Sequence, residues 1–307
     1  MKLASFRRDR TVSAGLVLGR RIIDFSRLPA SYRLPSRMRD VIATGEDGLA
    51  SMRRLAAAAR KRGARLPWAE ADEVEWLSPV PDPLKLLAVA ANYRKHIREA
   101  GFRVPDAGPM TPQFFLKPPS TCLVGHGGEV RITSHNVFVD WEVELGVVMG
   151  IPGRCIPAGR ALDHVYGYTV CNDLSERKQN SQISGRVRRD NDAFFDWLSG
   201  KWYDGFCPCG PVLVTKDEIP DPQRLRLRHR VNGKLHQNSN TKHMIHGVAE
   251  LIAYISSIVT LETGDLLSTG TPEGVGFPKN VRLRPGDVIE GEIAGIGVLR
   301  NRITHES

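Results

Sequence analysis

No part of this chain is apolar for long. The longest uninterrupted aliphatic run is Leu86 to Ala91, far below the roughly 20 residues a membrane-spanning helix needs. The first twenty residues carry Lys2, Arg7, Arg8 and Arg10 and no apolar block of signal-peptide form, so a cytoplasmic protein with no membrane partner is expected. Cysteine is scarce and odd in number: Cys122, Cys155, Cys171, Cys207 and Cys209 lie scattered through 307 residues. That argues against a disulfide framework and for reduced thiols. Cys207-Pro208-Cys209 has no second Cys/His pair at zinc-finger spacing and reads as small buried apolar side chains. With 41% hydrophobic and 25% charged residues the chain is globular and not disordered, and its length suits one large domain with an appendage.

The net charge of +9 raises the question of nucleic acid, and its location answers it. Residues 1–78 hold 16 of the 43 Lys and Arg and 9 of the 34 Asp and Glu, a balance of +7, which leaves +2 for the rest. The densest run, Arg53 to Arg65, interleaves its charges with helix-forming alanines, as a solvated helix face does. Nucleic acid is therefore not an expected partner, although a basic N-terminal module for anionic partners is the one non-enzymatic alternative.

Prolines 79, 81 and 83 make residues 77–84 an extended linker, and a boundary is placed at residue 78. The segment 1–78 reads as a small basic N-terminal α/β domain, with strands over 13–18 and 21–25 and a helix over 49–62. Residues 79–307 read as a β-rich α+β domain. Strands are predicted at 86–90, 113–117, 137–149, 166–171, 211–215, 224–231 and 287–303, with helices at 92–100 and 242–258. In 224–231 arginines alternate with Leu and Val, so one row faces water and the other a core, and Asn232-Gly233 suits a tight hairpin turn.

Within the predicted strand 137–149, Glu142 and Glu144 are two apart and share a face, their Cβ atoms about 7 Å apart. In an apolar strand two ionised carboxylates are costly unless a cation stands between them, although a solvated acidic face fits the spacing equally well. Asp173 ends another apolar strand, so three carboxylates would meet at one end of the sheet. Oxygen ligands favour a hard cation: magnesium first, then manganese or calcium. On the predicted helix capped by Asn92 and closed by Gly101, His96 and Glu99 are three apart and share a face. Such a pair makes a general base or a plain surface contact. Lys201 precedes aromatics and would aim its charge at an anion. Residues 269–276 form a glycine-rich, hydroxyl-bearing loop suited to a carboxylate, and residues 180–196 read as a cover over a site or a surface loop.

In order and spacing, NYRKHIREAG, PQFFLKPPST, VDWEVELGVVMG, GYTVCNDLSERKQ, GKWYDGFCPCGP, VNGKLHQNSNTKHMI and TGTPEGVG resemble the fumarylacetoacetate hydrolase family over about residues 84 to 300. The resemblance implies a mixed β-roll or sandwich core, a homodimer and a small anionic 2-oxo acid substrate. It puts Glu142, Glu144 and Asp173 on the metal ligands, His96 and Glu99 on the catalytic dyad and Lys201 on the lysine facing substrate. Arg177 falls on an arginine near the site, and Thr271 on a threonine that holds the substrate carboxylate. Three positions depart from the family pattern: Lys178 replaces an acid, Asn180 a glutamine and Gly205 a Thr or Ser. The implied reaction is metal-dependent hydrolysis of a carbon-carbon bond in a 2,4-dioxo acid. The same site would also serve as an isomerase, tautomerase or decarboxylase of unsaturated 2-oxo dioates.

Overall fold

The computed structural model describes residues 1–61, 65–104 and 110–306. Its first quarter supplies β1 (Lys2–Arg8), β2 (Thr11–Leu18), β3 (Arg21–Asp24), helices α1 (Met38–Ala43) and α2 (Gly45–Ala59), and the short β4 (Trp68–Glu70) and β5 (Glu75–Trp76). The remainder begins with β6 (Leu86–Ala90), α3 (Arg94–Glu99), β7 (Gln113–Lys117), β8 (Leu123–Val124), β9 (Glu129–Ile132), β10 (Val139–Asp140), β11 (Val143–Met149) and β12 (Val165–Asn172). It continues with β13 (Ser175–Glu176), α4 (Asp192–Ser199), β14 (Cys207–Thr215), β15 (Arg226–Val231), β16 (Lys234–Asn240), α5 (Val248–Ile258), β17 (Leu266–Ser268), β18 (Val288–Ile293) and β19 (Gly297–His305). The fold is mixed α/β and mostly sheet.

The large sheet runs β4-β3-β2-β1-β14-β12-β11-β17-β6-β7, and a second runs β16-β15-β18-β19-β9. Most pairings are antiparallel, while β17 with β6 and β19 with β9 are parallel. The sheets face each other across one core that joins Val143, Val147 and Val170 of the first to Leu227, Ile293 and Leu299 of the second. The apolar face of α5 (Val248, Leu251, Ile252, Ile255) packs into the same core. Strand β11 is buried at every position, as a central strand covered on both sides must be.

Several expectations shift in detail. The predicted strand 137–149 is interrupted: β10 ends at Asp140 and β11 starts at Val143, so Glu142 stands in the break and not in a strand. Helix α3 is capped by Tyr93, not Asn92, because the Asn92 side chain is taken up by Thr269 O, His246 O and the His246 N–H. Helix α5 begins only at Val248, where Glu250 reaches back to the Gly247 N–H. α2 ends at Ala59, and Arg62 of the predicted helix lies outside the described residues. On α2 Met52 and Leu55 are buried while Arg53 and Arg54 are exposed, which is the solvated face the charge run implied. The stretch 77–84 has no strand or helix, yet Ser78, Pro79 and Val80 are buried.

The first quarter is welded to the rest. β1 pairs with β14 through Leu3 and Leu213, and Leu3, Ile23 and Met38 share a cluster with Val148, Tyr166 and Leu213. Leu3→Ala should therefore lower the stability of the whole chain by about 2–5 kcal/mol in one cooperative denaturant transition. Two transitions, with only the earlier one moved, would show that the segments unfold separately.

Candidate active site

Antiparallel pairing of β11 with β12 sets Val143 opposite Asn172 and Glu144 opposite Cys171. The N–H of Asp173 donates to the Glu142 carbonyl at 2.9 Å. This register gathers Glu142, Glu144 and Asp173, all buried, with one carboxylate oxygen from each within 4.8 Å of the others. Three acids so close need positive charge, and three cations supply part of it. Lys201 Nζ lies 2.6 Å from Glu142 Oε2 and 2.7 Å from Asp173 Oδ2. Lys117 Nζ, at the end of β7, donates to Asp173 Oδ1 at 2.6 Å and to the Lys201 carbonyl. Arg177 donates through Nε to Asp140 Oδ2 at 3.0 Å and through its other arm to Glu142 Oε1.

These contacts divide the carboxylates. Burial works to raise the Glu142 pKa, but Lys201 and Arg177 outweigh it, with His96 adding to their effect, and hold the group at about 2. Glu144 moves the other way, pushed well up by burial and by the charges of Asp173 and Glu142. Its hydrogen bonds come from neutral donors, the Ser268 hydroxyl at 2.6 Å and the Gly270 N–H at 2.7 Å. The partners of Lys201 more than offset the effect of burial and raise its pKa. Four buried carboxylates, Asp140 included, thus stand against three cations. An oxygen-only donor set one positive charge short fits a hard divalent cation.

The dyad is assembled beside this cluster. His96 Nδ1 is 3.1 Å from Glu99 Oε1 on α3, and the Glu99 carboxylate accepts the Gly274 N–H at 2.9 Å. Gly274 has φ +105°, and a Cβ there would lie 2.2 Å from the His236 carbonyl, so only glycine lets the loop come this close. The same residue's carbonyl accepts the Trp141 indole N–H at 3.2 Å. The loop 269–276 therefore locks the dyad's acid. Thr271 sits in it with its hydroxyl engaged on both sides, donating to Val143 O at 3.0 Å and accepting from Gln237 Nε2 at 2.8 Å. That hydroxyl proton is already committed to the protein.

Sequence reasoning missed Lys117, Asp140, Asn172 and Gln237. Lys117 is the last residue of the predicted strand 113–117, and its burial is not legible from that position. Asp140 accepts from Arg177 and from the backbone N–H groups of Gly276 and Phe277; its place in the same motif as Glu142 was the available signal. The three departures are all structurally accommodated. Asn180, with φ +60°, bonds Asp196 through Nδ2 at 2.6 Å. Gly205 has φ +73°, a conformation that disfavours Thr and Ser. Lys178 Nζ lies 5.4 Å above the Phe138 ring. The segment 180–196 is tied down by Arg186, which grips Asp196 with both arms, and it runs into the unforeseen helix α4. Two surface clefts of about 700 and 610 Å³ open elsewhere, by the start of α5 and beside Trp202, and the acidic residues line neither. Volume alone does not locate this site.

The profile of the Fumarylacetoacetate (FAA) hydrolase C-terminal family matches residues 85–304. The human oxaloacetate tautomerase FAHD2B, a mitochondrial protein, is 38% identical over 309 residues, 99% of this chain and 91% of that one. Two solved structures cover the whole chain and the whole of their own. The 5-carboxymethyl-2-hydroxymuconate delta-isomerase of Mycobacterium smegmatis has TM-score 0.72 and 27% identity. The maleylpyruvate hydrolase of Sphingobium sp. SYK-6, in complex with manganese(II) and pyruvate, has TM-score 0.76 and 28% identity.

Cation binding should be linked to pH through Glu144. In the metal-free protein its raised pKa means that the unfolded chain ionises first as pH climbs, so stability falls from the ordinary carboxylate range upward. A cation must displace that proton. Calorimetry of Mn²⁺ binding in two buffers of different ionisation enthalpy should therefore show proton release and affinity rising with pH, and Glu144→Gln should abolish the release.

Proposed function

The chain belongs to the fumarylacetoacetate hydrolase family, and from that premise we propose that it interconverts the keto and enol forms of a small oxaloacetate-like 2-oxo dioate. The observation that carries this reading is the buried gathering of Glu142, Glu144 and Asp173, which together with Asp140 outnumber their three cations by one. Those three residues would hold a divalent cation, magnesium or manganese, which when bound would supply positive charge to an oxyanion at C2 of the substrate.

The protein's own residues then have separate tasks. His96, with its Nδ1 proton directed at Glu99, presents Nε2 as the base that takes a proton from C3; the C–H electrons form the C2–C3 double bond and the carbonyl pair moves to oxygen. Return of the proton to C3 regenerates the keto form, and delivery to the oxygen completes the enol. Lys201 sits against Glu142 and Asp173 and offers a preorganised positive charge toward the developing oxyanion. Arg177 and Lys117 hold the carboxylates in place. Thr271 holds the loop to β11, and contact with a substrate carboxylate requires it to release the Val143 carbonyl.

Tautomerisation takes precedence over hydrolysis because a relative 38% identical over 99% of this chain carries that activity in its name, against 28% identity to the maleylpyruvate hydrolase. Hydrolysis of a 2,4-dioxo acid is the second reading, supported by the maleylpyruvate hydrolase likeness and by a dyad able to activate water. We further propose a homodimer, since α4 and the loop before it leave Ile183, Val187, Phe194 and Phe195 in solvent. A boundary at residue 78, between two segments that share one sheet and unfold together, remains our proposal for the chain's organisation, as does a cytoplasmic location. No helix among the described residues is long and apolar enough to cross a membrane.

Purified protein with Mg²⁺ should accelerate decay of the enol absorbance of oxaloacetate and exchange of its C3 protons with solvent deuterium. Activity on acylpyruvates alone, with release of pyruvate, would replace this reading with the second. His96→Ala should lower the rate by about 10²–10⁴ while leaving Mn²⁺ affinity unchanged.

A further inference from the structure

One buried imidazole has no part in the chemistry above. On β15, Leu227, His229 and Val231 are buried and the arginines between them are not, so His229 occupies an apolar row where an aliphatic side chain would satisfy the core. Its ring lies against Trp141, with planes 6° and centroids 5.8 Å apart, and its Nε2 is 3.0 Å from Asn172 Nδ2. The Asn172 amide has only one orientation available. Its Oδ1 accepts the Glu142 N–H at 2.8 Å, so its NH₂ must face His229, and an amide nitrogen only donates. Nε2 is therefore the acceptor and the ring proton sits on Nδ1, a buried atom without a hydrogen-bond partner among the described residues. An unpaired buried N–H costs about 1–3 kcal/mol, a cost that Leu or Val would avoid.

We propose that His229 is a positioning residue that holds the cation ligand Glu142 in place through Asn172; the inference rests on the reading of the acidic triad as a cation site. In the break between β10 and β11, the N–H groups of residues 141, 142 and 143 go to side chains, those of Asp140, Asn172 and Gln237. These three contacts hold the bend that aims Glu142. His229 and Gln237 face each other across β15 and β16, so one hairpin of the second sheet supports both the break and the loop that carries Thr271. Without an acceptor at His229, Asn172 would keep a buried NH₂ unpaired in one orientation and present NH₂ to the Glu142 N–H in the other. Burial, with His236 adding to it, lowers the imidazole pKa to about 3, so the acceptor persists throughout the neutral range.

Two substitutions in the full chain separate positioning from packing. His229→Phe keeps a ring on Trp141 and removes the acceptor, whereas His229→Gln keeps an acceptor near the Nε2 position and removes the ring. Mn²⁺ affinity of the metal-free protein, read by calorimetry, should fall about tenfold in the first and stay within about threefold of wild type in the second. The ¹⁵N spectrum of the wild-type imidazole should show the proton on Nδ1. Unchanged Mn²⁺ affinity in a folded His229→Phe protein, or a proton on Nε2, would overturn the proposal. If His229→Phe fails to fold, the spectrum and the Gln variant decide, and a tenfold loss in the Gln variant counts against it. Wild-type protein that binds no Mn²⁺ would sink the cation reading itself, an outcome visible before any variant is compared.

Discussion

Everything at this site follows from a local imbalance of buried charge. Four carboxylates and three cations occupy one water-poor volume, and the cost of burying an unpaired charge is large enough that the pairs must form together or not at all. The cations come from separate places: Lys117 from the end of β7, Arg177 just after β13 and Lys201 just after α4. The Lys117 ammonium also bonds the Lys201 backbone, which fixes one cation by means of another. Glu144 is left to hydroxyl and amide donors. A fully neutralised cluster would have no use for a metal ion, and one with fewer cations would resist burial. The arrangement found lies between those limits, and it leaves one place where an exchangeable positive charge is favoured.

Sequence patterns exposed the acids because apolar strands ending in carboxylates are unusual, and strands 86–90 and 113–117 were legible to the residue. The supporting shell was not legible, for a physical reason. Asn172, Gln237 and Asp140 act across 30 to 136 positions of sequence, and such contacts depend on a register that one sequence does not display. Asn92 illustrates the limit: its type and place fit a helix cap, yet tertiary partners took its side chain. The break at Trp141 and Glu142 was equally hidden, since nothing in the local composition marks it. Alternation did place His229 in the buried row of β15, but an imidazole there is unremarkable until its neighbour is known.

The glycine-rich loop shows how one segment serves two parts of the site. Gly270 turns its N–H to Glu144, and Gly274 turns its N–H to Glu99, so these two carboxylates hang on the same eight-residue stretch. Any displacement of that loop would move both together. Trp141 ties the loop back to the break beside Glu142, and Thr271 ties it to β11. Geometry at the His96–Glu99 pair and geometry at the acidic triad are in this sense one property of the fold.

That coupling bears on why relatives of this chain, in sequence or in structure, carry the names of a tautomerase, an isomerase and a hydrolase. On the reading proposed above, an enolate beside a carboxylate is common to keto–enol exchange and to hydrolysis, and the triad and the dyad would serve either. Hydrolysis asks for one thing more, a water placed against a second carbonyl, and this depends on what covers the site. In this chain the segment 180–196, a cover only on our proposed reading, is held by its own contacts: Asn180 is bound to Asp196, Arg186 clamps the same carboxylate, and α4 follows at once.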